Sequence, residues 1–262
     1  MSTRAHAVSD SATMLRRNLR HALRYPSMSV SIVAMPVIFL LLFVYVFGGA
    51  LGAGLGGAPG GGRYIDYVVP GIIVLTAATG SMSTAVSVCV DMTEGIVARF
   101  RTMAIFRPSL LTGHVAGSMI QAMLSMGLVI GAALLMGFRP TADPARWIAV
   151  IGVLAMLTLA LTWLAVALGL VAKNPETASN LPLPLMLLPF LGSGFVPANS
   201  MSGGVRWFAE NQPFTPIIET LRGLLTGTPI GHNAVLAVAW CAGITLAGYL
   251  WARAAFNRGP VR

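Results

Sequence analysis

Charge is the scarcest commodity in this 262-residue chain: 17 Lys+Arg and 8 Asp+Glu make up 10% of the residues, against about 25% in soluble domains. Hydrophobic residues reach 56% before any of the 29 glycines are counted, so an ordinary water-soluble domain is excluded. Lysine is nearly absent. Lys173 stands alone, between Ala172 and Asn174, so the chain has no Gly-Lys-Ser/Thr and cannot hold ATP through a P-loop. Only Cys89 and Cys241 carry thiols; both sit in or beside apolar runs, with no CxxC, and are expected to be structural. HExxH, GxSxG, EF-hand and zinc-ligand spacings are also missing, which excludes those enzyme and metal chemistries. A net charge of +9 would suggest nucleic acid in a soluble protein, but here the bases are sorted by membrane side, and no nucleic-acid partner is expected.

What is present is apolar sequence in long blocks. Six charge-free intervals, bounded by Arg24 and Arg63, Asp66 and Asp91, Arg107 and Arg139, Arg146 and Lys173, Glu176 and Arg206, and Arg222 and Arg253, each exceed the ~20 residues that cross a bilayer as a helix. Spans are expected at about 28–47, 67–90, 110–136, 147–171, 180–197 and 234–251. Alternating strands of a membrane barrel do not fit blocks so evenly apolar. The expected fold is an all-α polytopic membrane protein: a cytoplasmic arm 1–27, a six-span domain 28–252 and a cytoplasmic tail 253–262. In the arm, Leu15, Leu19 and Leu23 recur every four residues among arginines and predict an amphipathic interfacial helix. Pro182, Pro184 and Pro189, with Gly192 and Gly194, predict a broken fifth span. Gly52-Ala53-Gly54-Leu55-Gly56-Gly57 spells GxGxxG, but it follows a span rather than a strand and reads as a flexible loop. Residues 198–231 are too charged to span easily. Trp207 and Phe208 suit the interface, and Ile217, Ile218, Leu221, Leu224 and Leu225 form one helical face beside Glu219 and Arg222.

Six spans put both termini on one side. Arg63, Arg139, Arg146, Arg206 and Arg222 fall on the other, and the remaining twelve bases share the side of the termini. The positive-inside rule therefore places both termini in the cytoplasm of a cell-membrane protein.

No predicted span interior carries Asp, Glu, Lys or Arg, which argues against a self-powered, ion-coupled carrier. Thr76, Thr79, Ser83 and Ser87 form a weakly polar stripe on span 2 that either packs helices or lines a transport path. Gly113/Gly117 and Gly127/Gly131 in span 3 are spaced for close helix approach. The loop between spans 2 and 3 carries Asp91, Glu94, Gly95, Arg99, Arg101 and Arg107. It either docks a soluble subunit or anchors to anionic lipid.

Two stretches carry a resemblance: 91–103, with Asp91, Glu94, Gly95, Arg99, Phe100 and Arg101, and 195–222, with Phe195, Pro197, Trp207, Asn211, Pro213, Pro216 and Arg222. In this order between six spans, the chain resembles the permease subunits of type-2 ABC transporters, especially actinobacterial daunorubicin/doxorubicin efflux permeases. The resemblance implies that the arm forms a connecting helix and that the 91–107 loop couples to cytoplasmic ABC ATPase subunits, which hold the ATP and magnesium; this chain would hold no cofactor. It further implies an extracellular re-entrant hairpin over about 198–231, with Pro213, Pro216 and Arg222 on family positions. A second copy or a related permease would complete the assembly among membrane lipids, and a hydrophobic solute would be exported. Ala104, where the family often has proline, and Arg107-Pro108 depart from the pattern. The alternatives are lipid or polysaccharide export by the same class, and a membrane enzyme or assembly factor without an ATPase.

Overall fold

The computed structural model of the chain describes residues 26–50, 63–93 and 108–258. The amphipathic arm, the glycine-rich link, and Glu94, Gly95, Arg99, Arg101 and Arg107 lie outside the described residues. Within those described, every regular element is helical: α1 Pro26–Leu41, continued by a π turn Leu42–Val46, α2 Tyr64–Thr93, α3 Pro108–Leu135, α4 Pro144–Val171, α5 Pro175–Asn180, α6 Leu183–Leu187, a 3-10 turn Ala198–Ser200, α7 Gly203–Asn211, α8 Phe214–Thr226 and α9 Asn233–Arg258.

Four helices are long and apolar enough to cross a bilayer, over Tyr64–Thr93, Val115–Leu135, Pro144–Val171 and Asn233–Phe256; Val33–Val46 is a shorter apolar helix. The chain is thus an all-α, multi-pass membrane protein. Several long helices outrun the expected spans, and at the start of α4 the end is fixed by capping chemistry rather than by hydropathy. α4 begins where the Asp143 carboxylate accepts from the Arg146 N–H at 2.8 Å, with Pro144 at the first helical position. Asn174 caps α5 in the same way, accepting from the Thr177 N–H at 2.7 Å. α3 closes on Gly137, at φ 100°. Its N–H reaches Leu134 O, while the Phe138 N–H reaches Ala133 O, the paired bonds of a glycine-terminated helix. Asp143→Ala is expected to lower stability by about 1 kcal/mol, read as a shift of the unfolding transition in detergent micelles.

α2 is the centre of the bundle, touching α1, α3, α4, α5, α6 and α8, while α9 packs along α4 and α8. Nearly every side chain from Tyr64 to Ala78 is buried. Backbones come closest where glycine removes the side chain. A Cβ on Gly169 of α4 would lie 2.5 Å from Ala85 O of α2, and one on Gly248 of α9 would lie 2.8 Å from Leu164 N of α4. Nothing stands within 4 Å of a Cβ added at Gly127 or Gly131, so the spacing that predicted close approach marks an open face of this chain.

The loops gather at two ends. At one, the Arg63 guanidinium donates to Gly137 O, and the Thr141 N–H donates to Leu225 O at 2.9 Å. At the other, the Cys89 thiol reaches Ala172 O at 3.7 Å, and Val88, Val115, Val166, Leu170 and Ala252 form a second, smaller core. Both cysteines are buried and unpaired.

Residues 175–197 are not one helix. α5 and α6 are separated at Leu181–Pro182, and turns follow to Val196. From the Ala172 end, this stretch packs against α2 and reaches the opposite end, where Phe195 meets Tyr64. There Phe39 of α1 and Phe43 of the π turn meet Phe190, and Phe195 stacks on Phe190 with ring centroids 4.4 Å apart.

Candidate functional site

Breaking a helix inside a membrane frees backbone carbonyls that no water satisfies. Side chains of α2 and α8, with Gln212 between α7 and α8, capture three of them here, at Leu188, Ser193 and Phe195. Tyr67 Oη donates to Ser193 O at 2.9 Å and Tyr64 Oη to Phe195 O at 3.1 Å. Gln212 Nε2 donates to Leu188 O and to Thr215 Oγ1, each at 3.1 Å. The Thr215 hydroxyl in turn donates to Ala209 O, in the last turn of α7.

Arg222 of α8 sits at the middle of these contacts, 6% exposed. Nη2 donates to Ser193 O at 2.7 Å and to Tyr67 O at 3.2 Å, Nε donates to Tyr67 O at 3.3 Å, and Nη1 pairs with Glu219. Cζ lies 3.7 Å from the centroid of the Tyr67 ring, within the range of a cation–π contact. A planar guanidinium can bind several acceptors at its edge while laying its face on a ring; an ammonium cannot. The charge is therefore compensated on every side. Gly71 of α2 lies so close to Gly194 that a Cβ would stand 2.4 Å from Gly194 O, and Gly192 abuts Gln212. Small residues set the distance and polar ones close the bonds.

Of the residues singled out in the sequence, Arg222 and Pro216 are buried in α8, and Pro213 precedes it. The two prolines occupy the start of the helix, where an N–H would lack an intrahelical partner. Asp91 lies in the last turn of α2, half-buried. The hydroxyl stripe divides: Thr76 is buried, Thr79 and Ser83 are half-buried, and Ser87 is exposed. Thr76 and Thr79 donate to the carbonyls four residues back, Ile72 O and Leu75 O, at 2.8 Å, and Ser83 donates to Gly80 O three residues back at 2.8 Å. Those protons are thus engaged within α2 itself. Residues 203–211 and 214–226 form the two amphipathic helices α7 and α8, and α8 is buried against α2, α4 and α9.

Sequence reasoning did not find Tyr64, Tyr67, Ser193, Gln212 or Thr215. One signal for Arg222's burial was present: Thr215, Ile218, Arg222 and Leu225 recur at spacings of three, four and three, which puts them on one helical stripe, and all four are buried.

This arrangement has no nucleophile with its base. Among the described residues, no group of three or more His, Cys, Asp and Glu could hold a metal. It is a polar lock within a membrane bundle. The family model described as ABC-2 type transporter matches residues 11–226, which include every side chain of the lock. The chain belongs to this family, and it is a non-catalytic permease subunit of an exporter-type ABC system. Membership implies a cytoplasmic ATPase, which uses the ATP and magnesium, a second permease chain and contact with membrane lipid. Among curated relatives, it is 29% identical over 243 residues to the daunorubicin resistance ABC transporter permease protein DrrB1 of Streptomyces coeruleorubidus, covering 92% of this chain and 83% of that protein. It is 25% identical over 177 residues to the "Probable doxorubicin resistance ABC transporter permease protein DrrC" of two Mycobacterium tuberculosis strains, covering 68% of this chain and 64% of those proteins.

Proposed function

We propose that this chain is the permease subunit that exports a hydrophobic solute, such as a drug or other lipophilic compound, from the cell, driven by ATP hydrolysed in the partner subunits. The observation that carries this reading is the similarity to a daunorubicin-resistance permease along 92% of the chain. Six crossings with both termini cytoplasmic complete it: the four long helices, α1, and the 175–197 stretch. The meeting of Phe39 and Phe43 with Phe190 and Phe195 supports the crossing of α1. The run of 175–197 between the Ala172 and Tyr64 ends supports the fifth. The positive-inside count sets the orientation, and α7–α8 is then an outward-side re-entrant hairpin. On this reading the domains are the arm 1–27, the six-span unit 28–252 and the tail 253–262.

The 91–107 loop is the coupling element, with Asp91, Glu94, Gly95, Arg99, Arg101 and Arg107 facing the ATPase. Thr76 and Thr79 pack α2, since their hydroxyls are committed to their own helix, and the exposed Ser87 is the member of the stripe nearest the ATPase side. Reconstitution with the cognate ATPase tests the reading. Substrate-stimulated ATP hydrolysis and efflux are expected from the pair and from neither alone. Glu94→Ala and Arg99→Ala are expected to reduce both activities several-fold while leaving insertion and yield unchanged. Full stimulated hydrolysis and efflux in both variants would remove the loop from the coupling path.

A further inference from the structure

Three stretches remote in sequence converge on one guanidinium: the first two turns of α2, residues 188–197, and α8. Each is tied to the others more than once. Arg222 binds Tyr67 O and Ser193 O, Tyr67 binds Ser193 O, Tyr64 binds Phe195 O, Gln212 binds Leu188 O, and Gly71 abuts Gly194. The other half of the broken segment has the opposite character. Pro182 and Pro184 supply no N–H, so Ala178 O and Asn180 O lose their ordinary donors four residues on. The regular ladder of α5 ends with the Leu181 N–H on Thr177 O, and the next turn is bridged by the tighter bond from Leu185 N–H to Pro182 O. Leu181 and Leu183 are both exposed at this joint.

We propose that Arg222 is a positioning residue that fuses the Tyr64 end of α2, residues 188–197 and α8 into one block of constant shape. Movement of the 175–197 segment is then confined to the proline joint at 181–184. The transport cycle in which the joint moves is taken from the exporter reading above; the fusion of the block stands without it. During the cycle the block travels as a unit. The carbonyls of Leu188, Ser193 and Phe195 keep their donors throughout, so none of the three is left unsatisfied in the membrane.

Hydrogen–deuterium exchange read by mass spectrometry on the chain in lipid nanodiscs tests this. In the permease–ATPase complex, amides of 188–197 are expected to exchange slowly and equally without nucleotide and with ATP trapped by vanadate, while those of 178–186 change between the two states. In Arg222→Lys, exchange over 188–197 is expected to rise about tenfold or more in the permease alone, with 150–165 of α4 unchanged. Tyr67→Phe, which keeps the ring and the backbone acceptor, gives a second variant with a smaller rise of about 3-fold, should Arg222→Lys fail to fold. Two results would overturn the inference: nucleotide shifting 188–197 as much as 178–186, or 188–197 staying as protected in a folded variant as in the parent. If no ATPase associates, the exporter reading fails, and the variants in the lone permease still decide whether the block is fused.

Discussion

Arg222→Met is expected to cost the folded chain about 3 kcal/mol, the lower end of the range for breaking a buried ion pair. Methionine restores much of the volume but none of the donors. Ser193 O retains the Tyr67 hydroxyl, so it is not orphaned. The Tyr67 carbonyl loses the guanidinium bonds, Glu219 loses its ion pair, and the Tyr67 ring loses its cation. The loss stays at that lower end because the Glu219 side chain is 31% exposed and can recover hydration. Titrating the protein in mixed micelles with a denaturing detergent measures the loss. A change under about 1 kcal/mol would mean that the guanidinium contacts contribute little net stability, as exposed pairs do. A double-variant cycle with Tyr67→Phe should show coupling, because both side chains serve Ser193 O.

The second large effect comes from adding one methyl group. Gly71→Ala places a Cβ 2.4 Å from Gly194 O and 2.7 Å from Gly194 Cα. Both are backbone atoms, so no rotamer change can yield. α2 and the 188–197 stretch must separate, which stretches the tyrosine bonds to Ser193 and Phe195. The expected penalty is about 1–3 kcal/mol for overpacking, more for Gly71→Val, measured by the same titration. Gly152→Ala is the control: nothing lies within 4 Å of the added atom, and a helix interior prefers alanine by up to about 1 kcal/mol. If the two variants are equally stable, the contact between Gly71 and Gly194 is not tight.

These two positions also show which features were legible in the sequence. The membrane class, the long helices and the broken segment could be read from charge spacing and prolines, because bilayer thickness and missing N–H groups act locally. Close backbone approach could not. Gly127 and Gly131 have the expected spacing and no neighbour, whereas Gly71, Gly169 and Gly248 make the tight contacts. A glycine's use depends on what crosses it, and the partner of Gly71 lies more than a hundred residues away. The lock was hidden for a related reason. Its acceptors are mostly main-chain carbonyls at Tyr67, Leu188, Ser193 and Phe195, and a carbonyl has no residue signature. Arg222 itself could have been placed, since its three-four-three spacing with Thr215, Ile218 and Leu225 puts a charge in the middle of an apolar stripe.

The length of α2 has a mechanical consequence. Its 30 residues make a rod of about 45 Å at 1.5 Å per residue, with Tyr64 and Tyr67 at one tip and Asp91 at the other. Pivoting about one tip by roughly 5° carries the other through about 4 Å on that geometry. A lever tied at its Tyr64 end into the Arg222 block needs only a modest push at its Asp91 end to reposition everything packed along it. On the proposed topology, gearing of that kind would let a short stroke at the Asp91 end reach the Tyr64 end without remaking a single contact near Arg222.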